Sequence, residues 1–169
     1  MDGQAELEPA LVWAMQRRFG ADARLARLER LSGGASQELW SFDVETGGET
    51  RPLILRRNPG GTIEREGASG MESEARLIEL ARAAGAPAPA VVHVCRPEDG
   101  LGRGYVMERI AGETIARRIL RDPEYAQARP KLARQLGEAA ARIHAVDVAA
   151  AGELRVVTPQ SSLEGSYAG

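Results

Sequence analysis

The chain has 169 residues, a formal charge of −2 at pH 7 and a single cysteine. That length fits one domain, or one and part of another, with roughly 70% of the unfolded surface buried on folding. The near-neutral, slightly acidic balance argues against nucleic acid as the main partner, because phosphate backbones demand a basic face.

Residues 7 to 19 (L-E-P-A-L-V-W-A-M-Q-R-R-F) place Leu7, Leu11 and Met15 one helical turn apart, and Gly20 follows as a stop, so the pattern predicts a short amphipathic helix. The next stretch, R-L-A-R-L-E-R-L, reads two ways: Leu25, Leu28 and Leu31 suit a helix, while its position before a glycine loop suits a strand. From Glu38 the period is two. Trp40, Phe42 and Val44 alternate with Ser41 and Asp43, which predicts a half-buried strand. Thr46-Gly47-Gly48-Glu49 is a hairpin turn, and P-L-I-L-R-R-N-P returns as a second strand closed by Pro59. Residues 59 to 70 read as an exposed, mobile loop. A helix capped by Ser73 or its predecessors runs to about Ala84, ended by Gly85 and Pro87. Two more strands, Ala90 to Cys95 and Gly104 to Ile110, flank the turn R-P-E-D-G-L-G. After Ala111-Gly112 a short helix starts at Thr114, and a longer one spans about Tyr125 to His144 with Leu132, Leu136, Ala139 and Ile143 on one face. The last residues lack periodicity and are expected to fray. The order implies an α+β fold: an antiparallel sheet of about five strands backed by one packed helix, with a helical annex.

Cys95 alone excludes an internal disulfide and fits a reducing compartment. The acidic start lacks the apolar core of a signal peptide, and no apolar run approaches a membrane span, so a soluble, cytoplasmic chain without a membrane partner is expected.

Chemistry concentrates in four places. In P-L-I-L-R-R, period two sets Ile54 and Arg56 on one face and Leu53, Leu55 and Arg57 on the other. By itself Arg56 also reads as an arginine snorkelling from a strand end. On the following helix Glu74 shares a stripe with Leu77, Ile78 and Ala81. A carboxylate there costs several kcal/mol unless paired, which nominates Arg56 as its cation. The competing reading leaves Glu74 in the first turn, favoured by the helix dipole and still wet. The loop Ser32-Gly33-Gly34-Ala35-Ser36 offers backbone N–H groups unobstructed by side chains, as a phosphate-covering loop requires, although most Gly-Gly pairs are plain turns. Finally, G-Y-V-M-E-R-I-A-G-E-T is a strand that stops at a polar hinge, where backbone edges would face a flat heterocycle with Met107 packed behind.

The ordered set L-S-G-G-A-S, L-I-L-R-R, E-S-E-A-R-L, P-A-P-A-V-V-H-V-C, Y-V-M-E-R-I-A-G-E-T and L-G-E-A-A-A-R-I-H-A-V-D resembles the aminoglycoside phosphotransferase family, over roughly residues 24 to 148. The resemblance implies a protein-kinase-like fold, with an N-terminal nucleotide-binding lobe over residues 1–110 and, over 111–169, a hinge and the first helices of an incomplete substrate lobe. It implies ATP as cofactor, with Mg²⁺ in the full-length family, and a small-molecule hydroxyl as acceptor. By the same resemblance Gly33, Gly34, Ala35 and Ser36 form the nucleotide loop and Ile54 lies against adenine. Arg56 contacts the α/β phosphates, Glu74 anchors Arg56, and Glu108 and Ile110 offer backbone groups to the adenine edge. His144 falls at a helix end and is expected to be a packing residue.

Two departures stand beside the match. The family more often has lysine at position 56; the L-R-R-N-P form resembles the branch associated with acyl-CoA dehydrogenases, which hints at a hydroxyacyl substrate. The family's H-G-D-x-x-x-x-N catalytic loop and downstream metal-binding Asp have no counterpart here, since neither His93 nor His144 precedes Gly-Asp. No catalytic or metal-binding residue is therefore assigned, and the chain alone is expected to be inactive. The alternative is a non-catalytic kinase-like binding module, self-associating through the exposed face of a truncated lobe.

Overall fold

The computed structural model describes residues 3–31, 37–58 and 70–152. Helix α1 (Gly3–Phe19) leads into β1 (Arg24–Leu31), β2 (Glu38–Thr46) and β3 (Glu49–Asn58). Helix α2 (Met71–Ala83), β4 (Val91–Val94) and β5 (Arg103–Glu108) follow, and α3 (Ala116–Arg121) and α4 (Arg129–His144) form the annex. The five strands make one antiparallel sheet in the order β1-β2-β3-β5-β4.

One face of the sheet carries the larger core. Trp40, Phe42 and Val44 of β2, Leu53 and Leu55 of β3 and Val106 of β5 pack with Leu7, Leu11, Ala14 and Met15 of α1, all buried. Each such side chain contributes roughly 1.5–3 kcal/mol by leaving water, which decides where α1 docks. The other face is covered by α2, through Met71 and Ala75 against Tyr105, with Ile78, Val91 and Met107 alongside.

The ambiguous leucine segment is a strand, and a bulge explains its helix-like spacing. Between Ala26 and Glu29 β1 has one residue more than β2 opposite, and Arg27 takes a φ of 55°. The extra residue returns Leu28 to the core face that Leu25 occupies, so a separation of three survives in an extended chain. The hairpin forms at Thr46↔Glu49, with Gly47 and Gly48 at φ 56° and 79°, values that only glycine adopts cheaply.

Several expectations need correction. Ser41 and Asp43, expected on the solvent side of β2, are both buried. Helix α2 starts at Met71 on a Gly70 N-cap without a side-chain cap, so Ser73 does not cap it. Helix α4 begins at Arg129, after a 3-10 turn at Pro123–Tyr125. Its apolar stripe is uncovered among the described residues: Leu136 is 68% and Ile143 50% exposed. His144 is exposed as well, not a packing residue. The loop read at 59–70 lies, apart from Gly70, outside the described residues, as does the tail beyond 152. Among the described residues no helix is long and apolar enough to cross a membrane.

Two glycines give opposite expectations. A Cβ on Gly104 would stand 2.5 Å from the Arg56 carbonyl oxygen and 2.9 Å from the Arg57 Cα, backbone atoms that cannot yield cheaply. Gly104→Ala should destabilise by about 1–3 kcal/mol. Gly137, exposed in α4 with open space around it, should gain about 0.5–1 kcal/mol as alanine. Urea unfolding midpoints moving in the same direction would contradict this account.

Candidate functional site

The site begins with the pleat of β3. Ile54 and Arg56 point to the α2 face because Leu53 and Leu55 are committed to the core. In register, Ile54 stands opposite Met107 and Arg56 opposite Tyr105 on β5. Arg56 Nη2 lies 3.0 Å from Glu74 Oε1 of α2, each side chain about one-third exposed (32% and 34%). At that exposure the pair adds little to stability, on the order of 0–1 kcal/mol. Its interest is geometric: a guanidinium is held at the edge of a sheet face with its Nε buried and without a hydrogen-bond partner among the described residues. Burial and the nearby Glu74 carboxylate push the Tyr105 phenol up to about 12, so it stays protonated beneath the pair.

Next to Ile54 opens a cleft of about 630 Å³. Leu31, Ile54 and Met107 give it apolar surface; Glu29, Ser41 and the segment Glu108–Ile110 give it polar edges. At this hinge the Glu108 amide donates to Ala90 O (3.0 Å), and the Glu108 carboxylate accepts from the Ala90 amide (3.0 Å). The Arg109 amide donates to Pro52 O (2.9 Å). The Ile110 amide has no hydrogen-bond partner among the described residues. The Arg109 side chain turns back to the sheet, donating through Nη1 to Ser41 Oγ (2.7 Å) and through Nη2 to Asp43 Oδ1 (2.7 Å). Arg27 Nη1 lies 3.4 Å from the other Asp43 oxygen.

Glu38 ties together the base of the 32–36 loop. It accepts from Arg57 Nε (2.9 Å) and Trp40 Nε1 (3.1 Å), and pairs with Arg30 Nη2 (3.1 Å). Burial pushes its carboxyl upward, but the hydrogen bonds from Trp40 and Arg57 and the charges of Arg57 and Arg30 outweigh it and hold the group below the usual range.

A model of the phosphotransferase enzyme family matches residues 27–161. The chain belongs to that family. Among solved structures it is similar to aminoglycoside phosphotransferase APH(4)-Ia, with a TM-score of 0.50 and 21% identity, over 82% of this chain and 40% of that one. The chain thus spans less than half the length of that relative, and the likeness speaks for the kinase-like fold alone. No curated protein matches significantly.

Within this phosphotransferase fold, Ile54, Met107, Glu108 and Ile110 line one cleft, and Arg56 meets Glu74 beside it. Gly33, Gly34, Ala35 and Ser36 lie outside the described residues. Sequence reasoning missed Arg109, Ser41, Asp43 and Arg27. The only local signal was a carboxylate at an alternate strand position, indistinguishable from a solvated one until its burial is known. Among the described residues no group of three His, Cys, Asp or Glu side chains comes together that would hold a metal ion.

The Glu38 shift has a sign that can be measured. A carboxyl held lower in the folded than in the unfolded chain stabilises above about pH 4.3, and that stability is lost as pH falls through its folded value. Glu38→Gln should therefore be less stable at pH 7 and lose less than wild type on acidification to pH 3. Parallel stability–pH curves for the two proteins would refute the assignment.

Proposed function

We propose that this chain is the ATP-gripping part of a small-molecule kinase, which transfers the γ-phosphoryl of ATP to a hydroxyl in the cytoplasm. The observation that carries the reading is the Arg56–Glu74 pair at 3.0 Å, beside a cleft whose apolar surface comes from Leu31, Ile54 and Met107. A flat base fits between the aliphatic side chains, with the Glu108 carbonyl and the Ile110 amide at its edge. Arg56 is the cation for the α/β phosphates, through the exposed part of its guanidinium. Glu74 aims it. The backbone of residues 33–36 covers the phosphates. Residues 1–110 act as the nucleotide lobe and 111–169 as the hinge and first helices of the substrate lobe. Mg²⁺ accompanies the nucleotide in such kinases; the described residues do not fit it, and neither metal nor catalytic base is assigned. The L-R-R-N-P form of β3 supports an acceptor of the hydroxyacyl kind.

A second reading, a non-catalytic binding module that self-associates, is favoured by one observation: Leu120, Leu136 and Ile143 of α3 and α4 are at least half exposed.

Calorimetric titration with ATP tests the first reading. Arg56→Ala should weaken ATP binding about tenfold or more, the loss of a charge-assisted contact, and Glu74→Gln should weaken it less. Equal affinity for wild type and Arg56→Ala would remove the site.

A further inference from the structure

In the sheet β2 and the hinge are not neighbours, because β3 runs between β2 and β5. Arg109 nevertheless joins them. Its amide is bound to Pro52 O of β3, and its guanidinium crosses that strand to Ser41 and Asp43 of β2, both bonds 2.7 Å long. The Asp43 side chain is only 3% exposed, so its charge needs a close cation. Arg27 is a poor one, 81% exposed and 3.4 Å away. Arg109 is the principal partner, and the hinge is held at both ends of one residue.

This arrangement bears on which base the cleft takes. Arginine is the side chain that reads guanine, by two N–H groups on O6 and N7. Here Nη1 and Nη2 of Arg109 each donate to β2, which directs the guanidinium toward that strand although Arg109 lines the cleft. The hinge itself offers backbone: the Glu108 carbonyl as acceptor and the Ile110 amide, without a partner among the described residues, as donor. Adenine offers the complementary edge, an N6–H donor beside the N1 acceptor. Guanine offers the reverse, O6 beside N1–H, and would leave both hinge groups opposed.

We propose that the Asp43–Arg109 clamp is the device that selects adenine over guanine nucleotides, with Arg109 a positioning residue that fixes the hinge peptides and directs its guanidinium to β2 rather than to the base. The proposal rests on the nucleotide-site reading above. Lysine at 109 keeps the charge but loses the fork. The double variant Asp43→Leu with Arg109→Met removes the buried carboxylate together with its partner, a replacement that ion pairs often tolerate without loss of stability.

The test uses the full chain. Affinities for ATP and GTP are measured by calorimetry for wild type, Arg109→Lys and the double variant, with thermal unfolding of each. Wild type should prefer ATP by about tenfold or more, and the ratio should fall toward one in both variants while they remain folded. Variants that fold and keep the wild-type ratio overturn the proposal. Exchange of the hydrogen-bonded Glu108 and Arg109 amides in the nucleotide-free protein gives an independent readout. It should quicken about tenfold in Arg109→Lys, with the β2 and β3 amides unchanged; unchanged hinge exchange overturns the clamp whether or not nucleotide binds. Wild type that binds neither nucleotide, with hinge exchange responding as expected, upholds the clamp and overturns the nucleotide reading.

Discussion

A carboxylate taken out of water must meet a cation, and the polar half of this structure is organised by that requirement. Asp43, Glu38 and Glu74 sit on or beside the sheet, and each is answered by an arginine from outside its own element: Arg109 of the hinge, Arg57 of β3 and Arg56 of β3. Because the partners come from different elements, each neutralisation is also a stitch. The hinge is tied to β2, β2 to β3 at the base of the 32–36 loop, and β3 to α2. The lone lysine, Lys131, takes no part in these pairs. Arginine suits the task because its planar fork can satisfy two acceptors in fixed directions, as Arg109 does with Ser41 and Asp43.

The two faces of the sheet therefore differ in how they are held. On the α1 face, contact among Phe42, Val44, Leu53, Leu55, Leu11 and Met15 is non-directional, and many apolar arrangements would serve. On the cleft face, direction matters. Ile54 and Met107, paired across the ladder, give the cleft an apolar wall, and Arg109 at its edge is fixed by short hydrogen bonds. A cleft whose walls are braced by their own ion pairs keeps its shape without a ligand, which lowers the ordering cost of binding.

What could be read from the sequence was whatever depends on near neighbours. Period two assigned Ile54 and Arg56 to one face, and the spacing of Leu7, Leu11 and Met15 marked the buried stripe of α1. The paired glycines at 47–48 marked the hairpin. Even the Arg56–Glu74 contact was accessible, because a carboxylate on an apolar helical stripe demands a cation and few were suitably placed. The failures share a different character. Ser41 and Asp43 follow the expected alternation, but alternation says which residues share a face and not what covers that face. Their cover is Arg109, 66 residues from Asp43 along the chain. The leucines at 25 and 28 left helix and strand both open because a bulge between them alters the period locally. The stripe on α4 carries an apolar pattern of which Leu136 and Ile143 remain at least half exposed, and a pattern cannot report whether its complement is there.

The arginine at position 56 is the departure with most consequence for the proposed site. A lysine there would present one ammonium, free to rotate its protons between a helix carboxylate and a phosphate, with the charge centred on a single atom. A guanidinium divides the tasks among separate nitrogens. Nη2 is engaged by Glu74, and the buried Nε, in the same plane, has no hydrogen-bond partner among the described residues. The carboxylate thus does more than balance charge: by holding one nitrogen it fixes the plane, and so the direction in which the remaining N–H groups can point. Tyr105, directly opposite Arg56 in the ladder and kept protonated by burial, supplies an uncharged neighbour that does not compete for the cation. With arginine, then, the orientation of the remaining N–H groups is set by α2, and a displacement of that helix would turn them.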